Sequence, residues 1–188
     1  MCETERTNSF SGFKGKLINK YTVLVIIFFL SLSKAGAQEY LDYAVHANII
    51  YHFTKYIDWP RYKKSSDFII GIVGDSPLYD ELQKVAETKT VGGRQIIIKK
   101  FSSSETIFYC QILFISQDKR KSLKKIIAAT MDAATLIVSE SEGMASKGSC
   151  INFVIVHDRL KLEINKNTIE QRGLGIATEL LSLGTVVK

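Results

Sequence analysis

The stretch DFIIGIVGDSPLYDELQKVAE, residues 67–87, decides the fold. Its first part, Asp67 to Gly74, is short, apolar, rich in β-branched side chains and bounded by glycine, which is the pattern of a buried strand. Its second part follows helical rules. Asp75 or Ser76 stands where a helix N-cap belongs, Pro77 suits the first turn, and Asp80 and Glu81 lie near the positive end of the helix dipole. A strand that feeds a capped helix is the first half of an α/β unit. The glycines between them could bring backbone N–H groups to an anion. However, the stretch has neither the G-x-G-x-x-G spacing nor a Walker lysine, so a tight turn with a good cap is the better reading. Ligands of open α/β sheets bind outside the carboxyl ends of the strands, and on that ground Asp75 and Ser76 are candidate ligand contacts.

Downstream, VGGRQIIIKKF (residues 91–101) gives a glycine turn and a second strand, CQILFIS (110–116) a third, DKRKSLKKIIAATM (118–131) a second helix, and ATLIVSE (134–140) a fourth strand. SCINFVIV (149–156) and LKLEIN (160–165) alternate around HDR (157–159), so they read as an antiparallel hairpin. The closing NKNTIEQRGLGIATELLSLG (165–184) predicts one or two short helices broken at Gly173 and Gly175, with Leu174, Ile176, Leu180, Leu181 and Leu183 packing back on the sheet. Upstream, Tyr40 to Asp58 has helical periodicity, with Val45, Ile49, Ile50, Phe53, Tyr56 and Ile57 on one face. Trp59 and Pro60 end that helix, because the residue before a proline is pushed out of the α region. The expected fold is therefore α/β: a single three-layer domain with a mostly parallel sheet, a C-terminal antiparallel hairpin and helices on both faces.

Residues 1–37 read as a cleaved secretory signal peptide. Lys14, Lys16 and Lys20 precede the apolar core TVLVIIFFLSL (Thr22 to Leu32), and AGA (Ala35 to Ala37) supplies small residues for cleavage before Gln38. A membrane anchor is the alternative, but the run falls short of the roughly 20 residues that span a bilayer. Removing five Lys/Arg and two acidic residues with the leader lowers the formal charge from +6 to +3. The domain, 38–188, is then a mildly basic exported protein whose compartment holds no nucleic acid. The run KRKSLKK (119–125) reads as the solvated face of a helix, with attraction to an anionic membrane surface as the minor alternative.

Several residues invite a chemical reading. Trp59, the only tryptophan, is either a ligand-stacking surface or the hydrophobic anchor of the first helix. Arg94 follows a glycine turn, where a guanidinium could clamp an acidic ligand or hold a loop. Cys110 and Cys150 remain after leader cleavage and are a disulfide candidate in an exported protein, or else two small buried hydrophobes. His46 and His52 stand about 120° apart on the first helix and are no metal pair. No H-E-x-x-H, paired C-x-x-C or G-x-S-x-G is present, so no local signature implies an enzyme, a metal or a cofactor.

Taken in order, FTKYIDWP (53–60), IIGIVGDSP (69–77), VGGRQIIIKKF, CQILFIS, LIVSESEGMASKGSCINFVIVHDRLKLEIN (136–165) and GLGIATELLSLGTVV (173–187) resemble the YfiR-like family of bacterial periplasmic regulatory proteins. The resemblance runs from about Tyr43 to Val187. It implies a non-enzymatic regulator that modulates a membrane-bound signalling protein, a diguanylate cyclase or a sensor histidine kinase, through its periplasmic portion. Lowered cyclic-di-GMP and biofilm formation, a possible homodimer and redox control through disulfides belong to that picture. Cys110 and Cys150 are fewer than the four cysteines of the disulfide-controlled member. The expectation from another class is a periplasmic small-molecule-binding protein, and after it a hydrolase whose site is assembled from distant residues.

Overall fold

The computed structural model describes residues 42–60 and 67–188, and the signal-peptide reading of 1–37 lies outside them. Helix α1 spans Tyr43–Tyr56 and begins where the Asp42 carboxylate accepts the Ala44 and Val45 N–H groups at 3.0 and 3.3 Å. The helix stops earlier than its periodicity suggests. Ile57 is already extended (φ −101°, ψ 132°), and β1 (Ile57–Asp58) pairs antiparallel with β9 (Gly175–Ile176). A strand pairing, not Pro60 alone, therefore ends α1. The buried face also differs from the expected one: His46, Ala47, Ile50 and Phe53 point inward, whereas Val45 is 44% exposed. Burying small Ala47 lets the helix sit close to the sheet, and His46 is tolerated there because its Nδ1 meets the Asp42 carbonyl at 2.9 Å.

Strand β2 (Phe68–Val73) is an interior strand of the sheet, whose order is β10-β8-β7-β6-β5-β2-β4-β3. It pairs in parallel with β4 (Arg94–Phe101) on one side and β5 (Ile112–Ile115) on the other. From β5 the parallel ladder continues to β6 (Leu136–Ser139) and β7 (Ile151–Val156). Strand β8 (Arg159–Ile164) returns antiparallel to β7, in register from Ile151↔Ile164 to Val156↔Arg159. The expected mostly parallel sheet with an antiparallel hairpin is what the molecule has. Two short edges complete it: β3 (Thr90–Val91), antiparallel to β4, and β10 (Thr185–Val186), parallel to β8.

The chain leaves β2 toward β4 through α2 (Leu78–Thr88), and leaves β5 in the opposite direction, toward β6, through a 3-10 turn (Gln117–Ser122) and α3 (Leu123–Ala129). Right-handed crossovers in opposite directions place α2 and α3 on opposite faces. Helix α1 packs with α2, and α5 (Thr178–Ser182) touches α1 as well. Helix α4 (Lys166–Gln171) ends beside α3, where buried Arg172 donates to the Thr130 carbonyl at 3.0 Å. The core between the layers is fully buried at Phe68, Ile70, Ile72, Ile112, Phe114, Leu136 and Val138. Each such side chain contributes about 1.5–3 kcal/mol relative to exposure.

The β7–β8 hairpin turns on two residues, His157 and Asp158, with φ of 50° and 56°. Two left-handed residues make a type I′ turn, whose twist suits a hairpin and whose second position favours glycine. Arg159 already belongs to β8, so the turn is one residue shorter than the H-D-R reading. Asp158→Gly is expected to stabilise the domain by about 0.5–1 kcal/mol by removing left-handed strain. Thermal melting checks it, and a lowered melting temperature would contradict the turn assignment.

Candidate functional site

The order of strands reverses direction at β2: the chain passes from β2 to β4 on one side and then to β5 on the other. A crevice outside the carboxyl ends of strands that flank such a switch is where open α/β folds hold ligands. Here the polar residues that follow β2, β5 and β6 meet the first turn of α1.

Gly74 follows β2 with φ 101°, and any Cβ on it would overlap Ser116 Oγ and Asp118 Oδ1. Glycine is thus required both for the left-handed backbone and for the close approach of the β5 loop. Ser116 donates to the Val73 carbonyl at 2.9 Å and also meets Asp118 in a very short hydrogen bond. Asp118 is held below the usual carboxylate range, first by that serine, then by Lys119 at 2.9 Å and by the Asp75 backbone N–H. Asp75 therefore contributes its main chain, while its side chain is exposed. Ser76 is buried, and its Oγ accepts the Leu78 N–H at 3.3 Å, so it acts as the expected cap of α2.

Glu140, one residue past β6, completes this end. One carboxylate oxygen accepts the Gln117 N–H at 3.1 Å, the other is buried, and the Tyr43 hydroxyl also interacts with the carboxylate. Burial is the main reason its pKa rises above the ordinary glutamate value, and the nearby Asp118 charge adds to it. The Tyr43 hydroxyl bridges toward Ser76 and Glu140, and burial followed by the Glu140 charge raises its own pKa. Behind the crevice His46 lies 4.5 Å from the Phe153 ring, with Nε2 buried and unpartnered. Burial lowers its pKa, so the neutral ring is favoured. Periodicity and motif reading missed Tyr43, Ser116, Asp118 and Glu140. Their signal was positional: the last three stand within three residues of a strand's carboxyl end.

A buried hydrogen-bond network anchors the segment after β6. Ser139 Oγ donates to Asn152 Oδ1 at 2.7 Å, and the Ser141 N–H reaches the same oxygen at 3.2 Å. The Asn152 amide returns bonds to the Ser141 carbonyl and to Glu163 Oε2, both at 2.9 Å. Every polar atom of the amide is used, which fixes the loop relative to β7 and β8.

The other candidates gather at the opposite end of the sheet. Trp59 is 3% exposed, stands edge-on to Phe68 with centroids 5.2 Å apart, and donates its indole N–H to the Gln111 carbonyl at 3.1 Å. That leaves no face for a ligand to stack on, and Trp59 is the anchor rather than the platform. The Arg94 guanidinium lies 5.2 Å from the same Phe68 ring, and its Nε donates to the Val91 carbonyl at 3.2 Å, holding the glycine turn. Of the four candidate contacts, only Asp75 and Ser76 are brought together at the crevice.

Cys110 and Cys150 are both buried and are not bonded to each other, which corrects the disulfide candidate. One precedes β5 and the other β7, with β6 between them. Two strand spacings are about 10 Å, more than the roughly 7 Å between Cα atoms that a bridge allows. Burial pushes the Cys150 thiol up to about 11. Among the described residues, no group of three or more His, Cys, Asp and Glu could hold a metal ion.

Two outcomes follow from this geometry. In native buffer Cys150 is expected to resist a thiol reagent that labels it after denaturation, and an intact mass carrying an internal bridge would contradict the placement. Because burial raises the Glu140 pKa, the fold favours its protonated form. The associated stability is full below the unfolded value near 4.5 and is lost as pH rises through the raised one. Glu140→Gln should therefore melt at a higher temperature than wild type at pH 7 and at the same temperature near pH 4, as pH-dependent calorimetry would read.

No curated protein matches the chain. The model of the YfiR/HmsC-like family matches residues 43–185, which runs from the first residue of α1 to the first residue of β10 and includes Tyr43, Ser76, Ser116, Asp118 and Glu140. The chain belongs to the YfiR/HmsC-like family.

Proposed function

We propose that the protein is an exported regulator that acts in the periplasm on a membrane-bound signalling protein, a diguanylate cyclase or a sensor histidine kinase, through that protein's periplasmic portion. The observation that carries this reading is the family match over residues 43–185. The leader-like sequence of residues 1–37 is consistent with export.

Two features of the domain suit such work. The β7–β8 hairpin extends past β6, which pairs with only Ile151 and Asn152 of β7, and near its tip Ile155 and Val156 are 39% and 43% exposed. Adjacent exposed apolar residues on a projecting arm suit a protein partner. The crevice holds an acid whose charge state burial has already shifted, so a ligand or proton there could bias one arrangement over another. A regulator needs only unequal affinity for two states of its partner, and each 1.4 kcal/mol of difference is about a tenfold shift. The reading assigns no catalytic step to the domain.

Deletion of the gene should raise cyclic-di-GMP if the partner is a cyclase, or alter kinase output if it is a kinase. The tagged protein should capture that partner from detergent-solubilised membranes. The double substitution Ile155→Asp and Val156→Asp should abolish capture with the melting temperature nearly unchanged. A deletion with no effect on either output, together with no captured membrane signalling protein, would overturn the proposal.

A further inference from the structure

We propose that a second cavity, between the Gln117–Ser122 turn with α3 on one side and the Ser141–Lys147 loop on the other, binds a small phosphate monoester. The cavity measures about 770 Å³ and lies outside the carboxyl ends of β5 and β6. Arg120, Lys121 and Lys124 line one wall and Lys147 the other, and none of these four is ion-paired among the described residues. Glu142 is the one carboxylate of the lining. Ser141 is also part of the lining: it is 8% exposed, and its Oγ is buried without a hydrogen-bond partner among the described residues, so that a turn of this small side chain would bring it to a ligand. Its main chain is held on both sides by Asn152, which fixes the position of its backbone at the cavity wall.

A solvated helix face accounts for only part of the basic run. Lys119 is paired with Asp118, and Lys125 donates to the Ser104 carbonyl. It does not account for Lys147, which comes from a separate segment, or for a buried hydroxyl left without a partner, which ordinarily costs stability. Converging cations and a hydroxyl suit an anion with several acceptor oxygens. A phosphate monoester, mostly dianionic at pH 7, offers three. The apolar part of the lining, Leu123, Ile127 and Met144, leaves room for a ring or chain beyond the phosphate, and the volume is in the range of small-molecule sites.

The inference does not rest on the regulatory reading, because binding is measured on the purified protein alone. The probe is phenyl phosphate, titrated calorimetrically beside inorganic phosphate and benzoate. Phenyl phosphate should bind about tenfold more tightly than either, and the affinity should fall as salt rises. The double variant Lys124→Ala with Lys147→Ala should lose about tenfold, and Ser141→Ala about fivefold, while Lys119→Ala with Lys125→Ala stays within about twofold. Lys124, Lys125 and Lys147 are exposed, Lys119 is half-buried, and Ser141→Ala removes only a buried hydroxyl without a partner among the described residues, so all variants should keep the wild-type melting temperature within a few degrees. Benzoate or inorganic phosphate binding as tightly as phenyl phosphate would overturn the proposal, as would wild-type affinity in the Lys124/Lys147 variant. Sedimentation with phosphatidylglycerol vesicles separates the membrane alternative. Vesicle binding that falls equally in both lysine pairs, without phenyl phosphate binding, would assign the basic face to a lipid surface instead.

Discussion

The structure depends on how closely β2 lets its neighbours approach. At Gly71 an added Cβ would lie 2.6 Å from the Phe101 ring and 2.8 Å from Leu113, and at Gly74 it would strike Ser116 and Asp118. The two glycines therefore admit side chains from both flanking strands into space that any other residue would fill. This lets β4 and β5 close on the same central strand, with Phe101 and Leu113 packed over its backbone. The same approach at Gly74 brings the polar loop after β5 against the end of β2. Core packing and crevice geometry thus share one steric requirement, met by two residues three positions apart.

The two ends of the sheet differ in which groups organise them. At the amino end Gln111 works as a junction: its carbonyl accepts from Trp59 and from the Leu136 N–H at 2.9 Å, and its side chain accepts the Ile69 N–H at 2.8 Å. That end is packed around the Trp59 and Phe68 rings, and a cavity of about 510 Å³ opens beside Ile69, Phe108 and Gln111. At the carboxyl end the Glu140 carboxylate is buried beside the Tyr43 hydroxyl, and Ser141 Oγ, next to it in sequence, is buried without a partner among the described residues. Desolvated groups of this kind cost stability, and proteins retain them mainly where they are used.

Much of this was legible in the sequence because its long elements carry strong periodicity. Strands β2, β4, β5, β6, β7 and β8, the α2 start at Ser76 and the hairpin all follow from residue pattern. The shorter pieces do not. The two-residue strands β1, β3, β9 and β10 have too few positions to show alternation, and they exist only because a partner strand passes close by. The inward face of α1 was read one residue off because His46 looked polar, and its burial depends on a bond to Asp42 that hydrophobicity does not encode. The cysteines looked equivalent in sequence, each opening a strand, and only the strand order shows β6 between them. For the site, residue type was less informative than position. Trp59 and Arg94 drew attention by chemistry and stabilise the amino end, whereas Glu140 is a plain acid whose importance comes from where the strand stops.

Asn152 lies where β7 leaves the support of β6. Beyond it the hairpin is a two-stranded ribbon, which twists more freely than a sheet. On one side Asn152 holds both main-chain groups of Ser141, and on the other it holds Glu163 of β8. In mechanical terms it is a joint between the Ser141 loop and the two strands of the hairpin. The loop and the ribbon are thus tied together through one side chain, and Phe153, the next residue, is clamped against His46 and Phe53 of α1.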